Sequence, residues 1–230
     1  MKIKKFRTIY TSFALLVAIS VMAGRANGAL IGVSGPTSNL FGLSTEILPE
    51  IIAAPLSALD DIAFNLGMQG FDEARGVLTT VPHTHDFGVI EAGTLVDSHM
   101  IFLNSPLDWY LSHSDVVWTF SGKIIGVMSD CWGYLEADST FELGAPGTNY
   151  TVPFTLPDFD SGPAAPFPLR GMEEGQDSYT LLGPSTLRVN MMVTEPGDWI
   201  RVVTVVPVPG AVLLGMLGLV VAGLKLRKYA

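Results

Sequence analysis

The sequence predicts an all-β fold, a β-sandwich ectodomain with a short helical segment near its start, flanked by a signal peptide and a C-terminal transmembrane helix. Three observations predict it. Apolar, β-branched and aromatic runs of strand length recur through the middle of the chain. Gly, Pro, Asn and Asp punctuate the joins. Two long apolar stretches sit at the termini, each beside a basic cluster.

The front end decides which residues belong to the mature domain. Lys2, Lys4, Lys5 and Arg7 precede an apolar run over 13–23, too short to span a bilayer, which takes about 20 residues. Ala26-Asn27-Gly28 supplies the small-x-small pattern of a cleavage site, so residues 1–28 read as a signal peptide cut after Gly28.

Strands are expected over 76–81, 94–103, 115–120, 123–128, 139–143, 150–156, 186–194 and 199–206. Leu187, Val189, Met191 and Val193 alternate with Arg188, Asn190, Met192 and Thr194, the period of a half-buried strand. Glu195-Pro196-Gly197-Asp198 then predicts a turn that pairs this strand with 199–205 as a hairpin. Ile47, Ile51, Ile52, Leu56 and Leu59 fall near helical spacing and place the short helix within 45–66, although Pro49 and Pro55 interrupt it. Residues 158–175, rich in Pro, Gly and acid, predict a long exposed loop.

Residues 29–206 form one β-rich extracellular domain, long enough for a sizeable core. This segment holds five cations, Arg75, Lys123, Arg170, Arg188 and Arg201, against all 22 acidic residues, a formal charge of −17. Such a field disfavours nucleic acid and anionic lipid as partners. Cys131 is the single cysteine, so the core alone must hold the fold, without an intramolecular disulfide.

The back end, 207–230, opens with Pro207-Val208-Pro209-Gly210, continues as an uncharged apolar run over 211–224 and ends on Lys225, Arg227 and Lys228. With Val205 and Val206 the run approaches spanning length, and the basic end belongs on the cytoplasmic side, which leaves the domain outside. Val206-Pro207-Val208-Pro209, the glycine-bearing helix and the basic end resemble the PEP-CTERM sorting signal of bacterial exosortase substrates, with Val208 where that family has glutamate. The resemblance implies signal peptidase and an exosortase-like sorting enzyme as partners, cleavage near 207–209, and delivery to the cell surface or extracellular matrix. Segments such as Val96-Asp97-Ser98-His99 and Val193-Thr194-Glu195-Pro196-Gly197 resemble uncharacterised exported proteins that bear such tails. That group supplies no activity to transfer.

Candidate chemistry is sparse. The four histidines lie between residues 83 and 113. On a strand His83 and His85 point to one face, and with a third ligand such as His99 they would hold a transition metal such as Zn. Asp158 and Asp160 are candidate Ca ligands, without the glycine and distal glutamate of the calcium-loop pattern. Trp109, Tyr110, Trp118, Trp132, Tyr134 and Trp199 are candidates either for the core or for stacking on sugar rings, which would make exopolysaccharide a partner. The sequence lacks the nucleophile elbow, the phosphate loop and the His-Glu-x-x-His helix, and no cofactor motif appears. These observations lead us to expect a non-catalytic surface or matrix protein, with a carbohydrate- or divalent-cation-binding module as the alternative.

Overall fold

A computed structural model describes residues 29–58, 65–105, 110–150, 171–194 and 197–206. The expected signal peptide over 1–28, the tail with Pro207, Val208, Pro209, Lys225, Arg227 and Lys228, and Trp109, Asp158 and Asp160 lie outside the described residues. Among the described residues no helix is long and apolar enough to cross a membrane; the predicted spanning run is not among them.

The described domain is mostly β. One sheet contains β1 (Leu30–Ser34), β2 (Asn39–Leu40), β3 (Leu43–Ser44), β9 (Leu111–Phe120), β11 (Ser178–Gly183) and β12 (Thr186–Val193). Its order is β11-β12-β9-β2-β3, and β1 also pairs with β9. β2 takes the Leu111 end of β9 and β1 takes the Phe120 end. The second sheet, ordered β10-β13-β8-β5-β4, contains β4 (Glu50–Ile51), β5 (Gln69–Leu78), β8 (Leu95–Leu103), β10 (Ile124–Met128) and β13 (Asp198–Val205). A separate hairpin joins β6 (His83–His85) to β7 (Gly88–Ile90), and one helix, α1, spans Tyr134–Leu143.

The two large sheets bury a common core. Leu111, Val116, Trp118, Phe120, Leu187, Val189, Met191 and Val193 come from the first sheet, and Ile101, Leu103, Val127, Ile200 and Val202 from the second. Burying each such side chain contributes about 1.5–3 kcal/mol. Trp118, fully buried, donates its Nε1–H to Met68 Sδ at 3.4 Å. Gly70 lies against that indole; a Cβ there would stand 2.7 Å from Trp118 Cζ3, so no larger residue fits.

β13 is buried on both faces. Ile200 and Val202 enter the shared core, whereas Trp199 packs with Phe71, Met100, Phe102 and Ala145, and Val203 packs with Val96, Met128 and Leu143. This explains a departure from expectation: β12 and β13 do not pair as a hairpin. β12 lies between β9 and β11 and β13 lies between β8 and β10, so the two consecutive strands belong to different sheets. A strand apolar on both faces needs cover on both, which an interior place in a doubly covered sheet provides.

The helix is also displaced from its expected position. Residues 45–58 hold none, since Pro49 and Pro55 lack the donors a helix needs, and 59–64 lie outside the described residues. Residues 139–143, read as a strand, form the last half of α1. Asp130 caps that helix, accepting from the amides of Tyr134 at 3.0 Å and Leu135 at 2.8 Å, and Gly144 ends it. Leu135, Ser139 and Leu143, spaced by four, turn its inner face to the second sheet.

Candidate functional site

The turn 121–123 between β9 and β10 is bonded to two segments far from it in sequence. Ser121 N–H donates to the Ala29 carbonyl at 2.9 Å, and Ala29 N–H donates to Ser121 Oγ at 2.6 Å. Two residues on, the Lys123 carbonyl accepts from the Val205 amide at 2.9 Å. The turn is tight because Gly122 has no side chain: a Cβ there would lie 2.3 Å from the Val205 carbonyl oxygen. One turn therefore holds both Ala29 and Val205. Beside it Val206 N–H reaches the Leu95 carbonyl at 3.4 Å, and Leu95 stands opposite Leu78 in the β5–β8 ladder.

The histidines divide between two environments. His83 and His85 do share a buried face of β6. His83 Nε2 lies 2.6 Å from Glu142 Oε2, and Glu142 also accepts from the Thr80 amide at 2.7 Å. Burial pushes the Glu142 carboxyl up, but the Thr80 and His83 hydrogen bonds outweigh it and hold it below its usual range. His85 packs edge-on against Phe87 and Gly126, and burial lowers its pKa.

His99 is elsewhere. It stands opposite Val202, so its ring points into the core between the sheets and lies 4.9 Å from Phe120. Its Nδ1 donates to Asp72 Oδ1 at 2.6 Å, and its Nε2 lies 3.1 Å from Thr204 Oγ1. The second sheet separates His99 from β6, so the structure does not bring His83, His85 and His99 together. The Asp72–His99–Thr204 chain has the order of a hydrolase triad, but His99 and Thr204 are fully buried, which denies a substrate any approach. His113 is likewise structural: Nδ1 accepts from the Met68 amide at 2.8 Å, and Nε2 donates to the Pro36 carbonyl at 2.9 Å.

On the opposite face of that sheet lies a network that the sequence reading missed. Arg201 and Glu73 form a fully buried ion pair, and Ser98 Oγ donates to the same Glu73 carboxylate at 2.8 Å. The guanidinium also donates to Ser139 Oγ and Thr140 Oγ1 and to the Glu136 carbonyl, so it pins α1 to the sheet. A usable signal was present: Arg201 interrupts a run of apolar residues, and a charge in a strand apolar on both faces needs a partner.

Among the described residues one group of carboxylates converges: Glu173, Asp177 and Asp198 offer oxygens within 4.8 Å of one another. Burial and Asp177 push the Glu173 carboxyl up to about 7. Asp177 Oδ2 accepts from the Glu173 amide and Oδ1 from the Met192 amide, both at 2.8 Å, which accounts for the cluster as a brace between the 173–177 turn and β12. Cys131 is half-buried with its thiol pKa raised by burial and by Asp130 and Glu173, the opposite of a reactive thiolate.

Of the aromatic candidates, Trp118 and Trp199 are core, while Tyr110 and Trp132 are about two-fifths exposed. A shallow cavity of about 220 Å³ is lined by Val81, Pro82, His83, Thr84, Leu135, Asp138 and Ser139. Phe141, 71% exposed, has its ring centre 6.1 Å from that of His83. No family model matches the chain, and comparison with curated proteins and with solved structures likewise finds no match.

Proposed function

We propose that this chain is an exported, non-catalytic protein of the cell surface or extracellular matrix, held on the membrane or sorted from it through residues 207–230. In this reading signal peptidase cuts after Gly28, the ectodomain folds as a β-sandwich, and an exosortase-like enzyme recognises the Val-Pro-Val-Pro tail. The observation that carries it is the turn 121–123, which binds Ala29 on one side and Val205 on the other. Ala29, next to the expected cleavage site, and Val205, next to the tail, thus lie at the same end of the described domain, which supports a reading in which both processing sites face one membrane. The −17 charge supports solubility outside the membrane.

Intact-mass spectrometry of the native protein from membrane and extracellular fractions tests both processing events. Loss of 1–28 and of everything beyond about residue 209, with the product outside the membrane, is the expected result for sorting. A membrane-bound product that keeps Lys225, Arg227 and Lys228 rejects sorting and leaves a single-span anchored ectodomain.

A second reading, a carbohydrate-binding module, is favoured by Phe141, whose exposed ring stands beside the cavity that carries Thr84 and Asp138. Titration with soluble exopolysaccharide distinguishes it: saturable heat that Phe141→Ala abolishes supports binding there, and no heat rejects it.

A further inference from the structure

We propose that the end of the domain carrying Val206 is a lipid-contacting face, with Leu78 and Leu95 seated in the headgroup region of the outer leaflet and Lys123 at its phosphates. The inference rests on reading 211–224 as a membrane anchor. The chain leaves β13 at Val206, and only Pro207-Val208-Pro209-Gly210 separates it from the apolar run. Four residues reach at most about 14 Å, so this end of the domain is tethered within that distance of the bilayer.

What stands at that end fits the tether. Four neighbouring strands present their ends in a row. Lys123 precedes β10, Val206 follows β13, Leu95 opens β8 and Leu78 closes β5. At about 4.8 Å per strand the row measures roughly 14 Å. Leu78 is 59% exposed and Leu95 41% exposed, and the two are directly opposite in register, so they form one apolar spot. Among the described residues Lys123 is the cation without an ion pair: Arg201 is held by Glu73, Arg75 by Asp72 and Arg188 by Asp115. In a domain whose acidic field repels anionic lipid, an unpaired cation at the tethered end selects which face approaches phosphate. Such a face would also fix the 207–209 segment at the membrane surface, where a membrane-embedded sorting enzyme would meet it.

The test uses chain from Ala29 to Ala230 in vesicles of phosphatidylethanolamine and phosphatidylglycerol. A nitroxide is attached in turn at Leu78→Cys, Leu95→Cys, Phe41→Cys at the opposite end and Gly218→Cys in the tail, all in a Cys131→Ser background. Accessibility to oxygen and to a water-soluble nickel chelate is then measured. The expected result is an oxygen-to-nickel ratio at 78 and 95 several-fold above that at 41 and approaching that at 218. A water-like ratio at 78 and 95 with a lipid-like ratio at 218 overturns the face and leaves the anchor intact. Low accessibility to both reagents at 78 and 95 indicates a protein contact and also overturns it. A water-like ratio at 218 as well removes the anchor together with the face.

Discussion

Arg201 and Glu73 meet side-on beneath α1, Nε to Oε2 at 2.7 Å and Nη2 to Oε1 at 2.8 Å, with neither side chain exposed. A bidentate pair of this kind specifies geometry, because both guanidinium edges are used: one faces the carboxylate and the other faces Ser139 and Thr140 of the helix. The pair therefore joins three sequence-distant segments, β5, β13 and α1.

Removing one partner leaves a buried charge uncompensated. Arg201→Met or Glu73→Leu alone is expected to cost about 3–5 kcal/mol, whereas the double replacement loses less than either single change. Chemical denaturation of the three variants checks this, and additive losses would show that the pair is not coupled.

Glu136 is fully buried on the inner face of α1, and both of its carboxylate oxygens lack a hydrogen-bond partner. Burial, reinforced by the charge of Asp130, pushes its pKa well above the usual range, which favours the neutral carboxyl in the folded protein. A raised carboxylate pKa gives stability that is complete at low pH and is lost as pH rises through the folded value. Glu136→Met is expected to be neutral or to stabilise by about 1–2 kcal/mol, with a gap over the parent that widens with pH. Thermal midpoints at neutral and alkaline pH measure it.

Asp72 behaves in the opposite sense. Burial raises its pKa, but hydrogen bonds from His99, the Leu30 amide and Arg75 prevail and hold it at about 2 against an ordinary 3.8. A depressed pKa contributes stability above about pH 4 that disappears as pH falls toward 2. Because Asp72 keeps contact with solvent, Asp72→Asn is expected to lose on the order of 1 kcal/mol at pH 7, a difference that closes in acid. Urea unfolding at pH 7 and pH 2.5 would reveal a constant difference if the reading is wrong.

Glu173 sets a third window. Its carboxyl is raised to about 7, first by burial and then by its bond to Asp177, so stability falls as pH climbs from about 4.5 to 7 and levels off beyond. Glu173→Gln is expected to match the parent at pH 4 and to exceed it by on the order of 1 kcal/mol at pH 8, after allowance for solvent screening. Equal midpoints of the two proteins at both pH values would remove Glu173 from this role.

Much of this architecture is legible in the residues. The β class follows from recurrent β-branched runs, and the observed strands β8, β10, β12 and β13 sit within a residue or two of their expected spans. Partner choice is not legible in the same way. The alternation in β12 told which face is buried and nothing about what buries it, so Glu195-Pro196-Gly197-Asp198 was read as a hairpin turn although β12 and β13 pair in different sheets. The 139–143 strand failed for a related reason: Phe141 and Leu143 alternate over too few residues to distinguish periods of 2 and 3.6, and the deciding features are the Asp130 cap and the four-residue spacing of Leu135, Ser139 and Leu143.

By itself the sequence determined composition-level and local properties: a β-rich acidic middle, apolar segments at both ends, and a His83/His85 pair on one face of a strand. These depend on residue type and near-neighbour spacing alone. Only the tertiary structure decided that His99 points away from that pair, that Arg201 finds Glu73 across 128 residues, and that Ala29 and Val205 meet at one turn. Each depends on strand order and register, which pairwise packing over long sequence separations sets and which no local pattern encodes.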